Sequence, residues 1–432
     1  RRQTEARAGW PTCHRDVQRF LSHLFTPDVR MDPRQQLLNL FQQGLAAVNG
    51  RSCVHAALSQ RAFSGPLYMV AVGKAADAMA AGAIDAIGGQ LSGGLVITRH
   101  GYQDTPVYRD PRIVSLEAGH PLPDEQSLAA GNALRLFLSN APAGAHFLFL
   151  ISGGASSLTE VPAPGISLAN LRTLNRWLLG SGLPIDAVNR VRSAFSTIKG
   201  GRLLQDLAGR HVELLLISDV PGDVPEHIGS GMLLPPIAGP LPELPAQFAD
   251  FPRQPPAEVR AGNVTVRMLA TNRDAMQAVF AGALSLAENA QLHEALPAAD
   301  AKVCGEHIAE FLLDTQPGIH IWGGETVVRL PAHPGRGGRN QMLALAAAHK
   351  LAGHANIYLL AAGTDGADGN SGDAGALVDG GSVARGEDAG LDALDCMARA
   401  DTGSFLEASG DLVYTGPTGT NVMDLIIAGK QG

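Results

Sequence analysis

Short apolar runs recur along the chain, each followed by a glycine or small polar residue and then by a stretch of helical spacing. They cover 67–72 before Gly73-Lys74, 95–97 before Thr98-Arg99, 147–151 before Ser152-Gly153-Gly154, and 212–217 before Ser218-Asp219. Three more cover 266–270 before Thr271-Asn272, 319–322 before Gly323-Gly324-Glu325, and 357–362 before Gly363-Thr364-Asp365. Runs that are apolar at every position are buried on both faces, which predicts parallel strands. The intervening stretches 75–87, 124–138, 167–179, 272–288 and 339–351 read as helices and complete βαβ units. The pattern is that of an α/β protein, whose ligands bind beyond the carboxyl ends of the strands. Prolines crowd the region between 231 and 265, which predicts a linker at 236–259 joining a first domain at 34–235 to a second at 260–432.

Composition sharpens this picture. Glycine supplies 51 of 432 residues, about 12% against a usual share of about 7%. No Gly-X-Y period accompanies it, so the surplus belongs to particular places in a folded chain, and it concentrates just past the apolar runs. A net charge of −8 speaks against a nucleic-acid partner. No apolar run approaches the roughly 18 residues of a membrane span. Cys13, Cys53, Cys304 and Cys396 stand far apart, which fits a reducing, cytoplasmic setting and offers no zinc cluster. Residues 1–30 hold six arginines against three acids and no apolar core, and are set aside as a non-native or disordered extension.

Candidate chemistry lies at the strand ends. Neither G-x-x-x-x-G-K-[ST] nor G-x-G-x-x-G occurs; the first strand–helix turn reads Gly73-Lys74-Ala75-Ala76-Asp77. A lysine at a helix N-terminus opposes the dipole, but together with the free N–H groups it suits an anion. Ser152-Gly153-Gly154-Ala155-Ser156-Ser157 is a second candidate anion loop, and Gly335–Gln341 sets Arg336 and Arg339 among three glycines before a helix. Carboxylates follow other strands: Asp219 with Asp223, Glu325, and Asp365 with Asp368, the last best read as a cap or turn residue. Acids at ligand-facing ends suit Mg²⁺, which takes one or two carboxylates with phosphate oxygens and water. Cations for phosphate, acids for a metal and glycines for close approach are what phosphoryl transfer requires.

In order along the chain, Gly73-Lys74-Ala75-Ala76, Glu117-Ala118-Gly119-His120-Pro121, Ile151-Ser152-Gly153-Gly154, Ile198-Lys199-Gly200-Gly201, Ser218-Asp219-Val220-Pro221-Gly222-Asp223, Gly337-Gly338-Arg339-Asn340-Gln341, Gly363-Thr364-Asp365-Gly366 and Thr418-Gly419-Thr420-Asn421-Val422 resemble the glycerate 2-kinase family, some of whose members are named hydroxypyruvate reductases. The resemblance implies a Rossmann-like parallel-sheet N-terminal domain and a smaller α/β C-terminal MOFRL domain. It also implies transfer of the ATP γ-phosphoryl group to the 2-hydroxyl of D-glycerate, with Mg²⁺. In that light Lys74, Arg339 and Asp365 are the candidate catalytic residues. Ser152, Gly153, Gly154 and Ser156 would line the anion loop, with Lys199 and Asn421 in support, and Asp219 and Glu325 would hold the metal. The partners implied are D-glycerate and ATP, without nucleic acid or membrane, and a homodimer stays open. The alternatives are an NAD(P)-dependent hydroxypyruvate reductase and a weakened sugar-acid or nucleotide binder. Ala155, Val224 and Met342 depart from the family pattern, and Met342 is expected to remove a carboxylate from a ligand-facing helix.

Overall fold

A computed structural model describes residues 32–102, 109–207, 209–255, 264–286 and 289–432, so the expectation for 1–30 lies outside the described residues. The chain forms two six-stranded sheets. The first has the order β3-β2-β1-β4-β5-β6, from β1 (Leu67–Val72), β2 (Leu91–Arg99), β3 (Ile113–Ala118), β4 (His146–Ile151), β5 (Val212–Ile217) and β6 (Val264–Ala270). Every pairing in it is parallel, as the apolar runs predict. The order reverses between β1 and β4, as in dinucleotide-binding folds, although the glycine fingerprint of those folds is absent.

The two-residue period of the strands divides the side chains of this sheet between two cores. Met69, Ala71, Leu148, Leu150, Leu215 and Ile217 pack against the helices Gly50–Leu58 and Ala76–Ile87. Val70, Val72, Phe147, Phe149, Leu214 and Leu216 pack on the other face with Leu134 and Leu138 of the helix Glu125–Asn140. That helix starts at a capping box in which Asp124 and Ser127 satisfy each other's backbone N–H groups.

The second sheet has the order β11-β10-β9-β12-β8-β7. It comprises β7 (Ala290–Leu292), β8 (Gly318–Gly324), β9 (Ile357–Gly363), β10 (Gly375–Asp379), β11 (Leu412–Val413) and β12 (Asp424–Lys430). Here the expectation of parallel pairing fails for the run at 357–362, whose neighbours β10 and β12 are both antiparallel to it, and holds for the run at 319–322 only on the side of β7. The last strand, β12, lies between β8 and β9 and is antiparallel to both. The runs are apolar throughout because helices cover both faces: Ala301–Asp314 and Arg339–Leu351 on one, Pro33–Ala47 and Asn272–Ala283 on the other. Burial on two faces leaves the same signature whichever way the neighbouring strand runs.

Two elements fall on the other sheet from the one the expected division implies. The strand β6, within the stretch assigned from 260 onward, pairs with β5 in the first sheet. The helix Pro33–Ala47, expected in the first domain, packs on the second sheet: Leu37, Leu40 and Phe41 join Leu425 and Ile427 of β12 in one apolar cluster, and Arg34 pairs with Asp379 and Asp411. The proline-rich stretch is no free linker, because Phe248 is fully buried beside Trp177 and Phe195 and Gln254 N–H donates to Ala194 O at 2.7 Å. The helix expected at 272–288 ends at Ala283.

One apolar cluster runs from Met69 and Met79 on the first sheet's side to Leu360 and Leu425 on the second. Phe41 is 1% exposed within it. Phe41→Ala should cost about 3–5 kcal/mol, read by denaturant unfolding. Because the cluster is shared, both sheets should melt in one transition, and two separated calorimetric peaks would contradict this.

Candidate active site

The cleft opens at the reversal point of the first sheet, where β1 and β4 lead into adjacent loops. Lys74 N–H donates to Gly153 O at 2.9 Å, and Ser152 Oγ accepts from Ala75 N–H at 3.0 Å. Ser152 is fully buried, so it braces the two loops instead of lining the cleft as expected. Gly153 is a point of close approach: a Cβ there would stand 1.7 Å from Asp219 Oδ2 and 2.2 Å from Asn421 Nδ2. Gly154 follows at φ +84°, a conformation that glycine adopts without strain, with the His120 ring packed over it.

The second sheet supplies the facing wall. Because β12 is antiparallel to β8 and β9, its first residue sits at their carboxyl ends, and Asp424 pairs in register with Gly324 and Gly363. Glu325, Asp365 and Asp424 therefore converge although they are far apart in sequence. Arg339, the first residue of its helix, binds both Asp424 oxygens, Nε to Oδ2 at 2.6 Å and Nη2 to Oδ1 at 2.9 Å, and places Nη1 2.5 Å from Glu325 Oε1. That helix begins at Gly338 without a side-chain cap of its own. Asp368 caps it from a distance, accepting from Asn340 and Gln341 N–H at 3.1 and 2.9 Å, in line with its reading as a cap residue.

Two polar contacts join the walls. Lys74 Nζ donates to Asp365 Oδ2 at 2.7 Å, and Asn421 Nδ2 donates to Asp219 Oδ2 at 3.0 Å. Burial pushes the Asp219 carboxyl above its ordinary range, with the Lys74 charge pulling the other way. Glu325 keeps 37% of its side-chain surface open to the cleft, yet the surrounding protein and the charges of Asp424 and Asp219 push its carboxyl up to about 7. Burial also disfavours the Asp365 carboxylate, but the charge and hydrogen bond of Lys74 outweigh it and hold Asp365 below the usual range. His120 is kept neutral by burial and by the nearby charges of Lys74 and Arg99.

Of the residues expected in the site, the structure gathers Lys74, Gly153, Gly154, Asp219, Glu325, Arg339, Asp365 and Asn421. It does not bring Lys199 to the cleft: the residue is 1% exposed and forms a buried ion pair with Glu160, which also accepts from Ser196 Oγ at 2.5 Å. Ser156 meets Ser230 Oγ at 2.7 Å, at the flank of the loop. Met342 lies in the core of the second sheet with Leu343 and Met397, so its departure from the family pattern removes no carboxylate from the cleft. Sequence reasoning missed Asp424 as a site residue, and the signal for it, an acid opening the last apolar run, is visible only once β12 is placed. His120 lies inside the Glu117–Pro121 motif, but nothing in that motif gives it a role.

The fold is that of a two-domain MOFRL protein. Residues 36–239 match the model for a domain of unknown function (DUF4147), and residues 318–424 match that of the MOFRL family. The chain is 36% identical over 382 residues to the D-glycerate 2-kinase of Thermotoga maritima, covering 84% of this chain and 90% of that one. It is 36% identical over 417 residues to a protein of Agrobacterium vitis provisionally named hydroxypyruvate reductase, covering 91% and 93%. The crystal structure of glycerate kinase from Thermotoga maritima superposes with a TM-score of 0.77 at 32% identity, covering 92% of this chain and 99% of that one. The chain belongs to the glycerate 2-kinase family.

Gly153→Ala tests the cleft wall. The new methyl group cannot coexist with Asp219 and Asn421 as placed, so ligand binding by calorimetry should fall at least tenfold. A variant that binds as well as the parent would show that the two walls are not held together at this point.

Proposed function

We propose that the protein is a glycerate 2-kinase that transfers the γ-phosphoryl group of ATP to the 2-hydroxyl of D-glycerate, yielding 2-phospho-D-glycerate and ADP. One observation carries this reading: Lys74 of the first sheet's wall reaches Asp365 across the cleft, and Arg339 stands on the opposite wall among Glu325 and Asp424, so two cations and several acids meet at the reversal point of the first sheet. The D-glycerate 2-kinase of Thermotoga maritima, aligned over most of both chains, supports the choice of substrate.

In the reaction the substrate hydroxyl oxygen bonds to the γ-phosphorus, the bridging oxygen to the β-phosphorus leaves with ADP, and the hydroxyl proton passes to a base. Lys74 and Arg339 neutralise the charge spread over the transferring oxygens, where prearranged cations are worth most. Both are held by carboxylates on their other side and so stay in place without a ligand. Asp365, kept ionised by Lys74, is suited to accept a hydrogen bond from the attacking hydroxyl. The neutral ring of His120 beside Gly154 can offer a hydrogen bond without adding charge to the cleft.

Among the described residues no group of three or more metal-ligating side chains is preassembled. Asp219 and Glu325, each disfavoured as an anion by burial, nevertheless suit a hard cation that takes one or two carboxylates and completes its shell with phosphate oxygens and water. Bound Mg²⁺ would offset phosphate charge. The hydride-transfer alternative finds less support, because the turn after β1 lacks the glycines that admit a pyrophosphate.

The test couples ATP, Mg²⁺ and D-glycerate through enolase with no mutase present, so only the 2-phosphate gives signal. Lys74→Ala and Arg339→Ala should each lower turnover at least 100-fold, about 2.7 kcal/mol. A loss under about threefold, roughly 0.65 kcal/mol, would remove these residues from the charge clamp.

A further inference from the structure

The proposed reaction leaves one ligand charge without a partner, the carboxylate of the acceptor. Lys74 and Arg339 already hold protein carboxylates and are assigned to the phosphoryl group. Arg192 differs. It lies in the last turn of the helix Ile185–Ala194, and its Nε is buried with no hydrogen-bond partner among the described residues. Glu160 and Asp219 act on it only through their fields, and Glu160 is already committed to Lys199 and Ser196. Arg192 as a whole is half-buried, and a buried N–H donor with nothing to bind is costly unless a ligand completes it.

The surroundings place Arg192 at the cleft. Asn189, three residues earlier and so on the same helix face, accepts from Ser230 Oγ at 2.9 Å, and Ser230 in turn meets Ser156 of the loop after β4. Arg192 thus approaches from the first sheet's side, flanking the anion loop, whereas Arg339 approaches from the second. Its field also falls on His120, which packs over Gly154 in the same loop. A planar guanidinium matches a carboxylate with two parallel hydrogen bonds, a geometry that a lysine ammonium does not offer.

We propose that Arg192 binds the carboxylate of the acceptor and is the residue by which the protein selects 2-hydroxy acids over neutral polyols; the assignment rests on the phosphoryl-transfer reading above. Because no described protein group is hydrogen-bonded to the Arg192 side chain, Arg192→Gln should fold as the parent does, with a melting temperature within a few degrees of it. It should raise the KM for D-glycerate at least tenfold, leave the KM for ATP within twofold, and erase the preference for D-glycerate over glycerol. Arg192→Lys, which keeps the charge but loses the fork, should restore part of the D-glycerate affinity. A rise in the KM for ATP, or a fall in kcat with the KM for D-glycerate unchanged, would overturn the assignment. Calorimetric titration of D-glycerate into parent and Arg192→Gln separates this from failure of the kinase reading. If the parent binds D-glycerate without phosphorylating it, the reaction is wrong, and loss of that binding in the variant still supports the subsite. Equal binding by both proteins, or none by the parent, overturns it.

Discussion

An ion pair with little access to water, Lys74 to Asp365, closes the gap between the carboxyl ends of two sheets, and the rest of the cleft is arranged around it. Such a pair adds little net stability, since desolvation consumes most of the attraction, but removing one partner strands the other charge at a cost of about 3–5 kcal/mol. Its value is positional. A lysine at the start of a helix would normally swing towards solvent, whereas here the opposite sheet supplies the anion that fixes it. Arg339 is likewise held by acids, Asp424 and Glu325, but from its own sheet. Cations and acids hold one another in a low-dielectric space, and a ligand that brings further negative charge enters a field already set.

This crowding explains why the acids differ among themselves. Asp365 has a lysine in contact and stays ionised, while Asp219 has no cation in contact, relies on the Asn421 amide, and is disfavoured as an anion. Glu325 shares one arginine with Asp424, which takes two of the guanidinium's hydrogen bonds and leaves Glu325 the more weakly compensated of the two. Carboxylates that the protein leaves under-compensated are those that gain most from a cation arriving with the substrate.

Much of the first sheet was legible in the sequence because parallel strands covered on both faces produce unbroken apolar runs, and the glycine-bounded loops after β1 and β4 mark their ends. The limits have the same origin. An apolar run reports burial and says nothing of the neighbouring strand's direction, so the antiparallel β12 went unseen, and Asp424 with it. Lys199 was expected to support the anion loop, yet Glu160, which neutralises it, is distant in sequence, and only the fold shows that the charge is spent internally. Arg192 lies within a helix, away from any strand end, and could be found only by asking which buried N–H donor lacks an acceptor.

The docking of the helix Pro33–Ala47 against β12 has a bearing on how the molecule comes into being. During synthesis this helix is made long before the strand that buries Leu37 and Phe41. At roughly 5–20 residues per second the interval lasts about 20–75 s. The first sheet has all its strands well before β12 is made and can assemble while the helix waits with an apolar face uncovered. The helix therefore cannot complete its packing on the second sheet until β12 has been made.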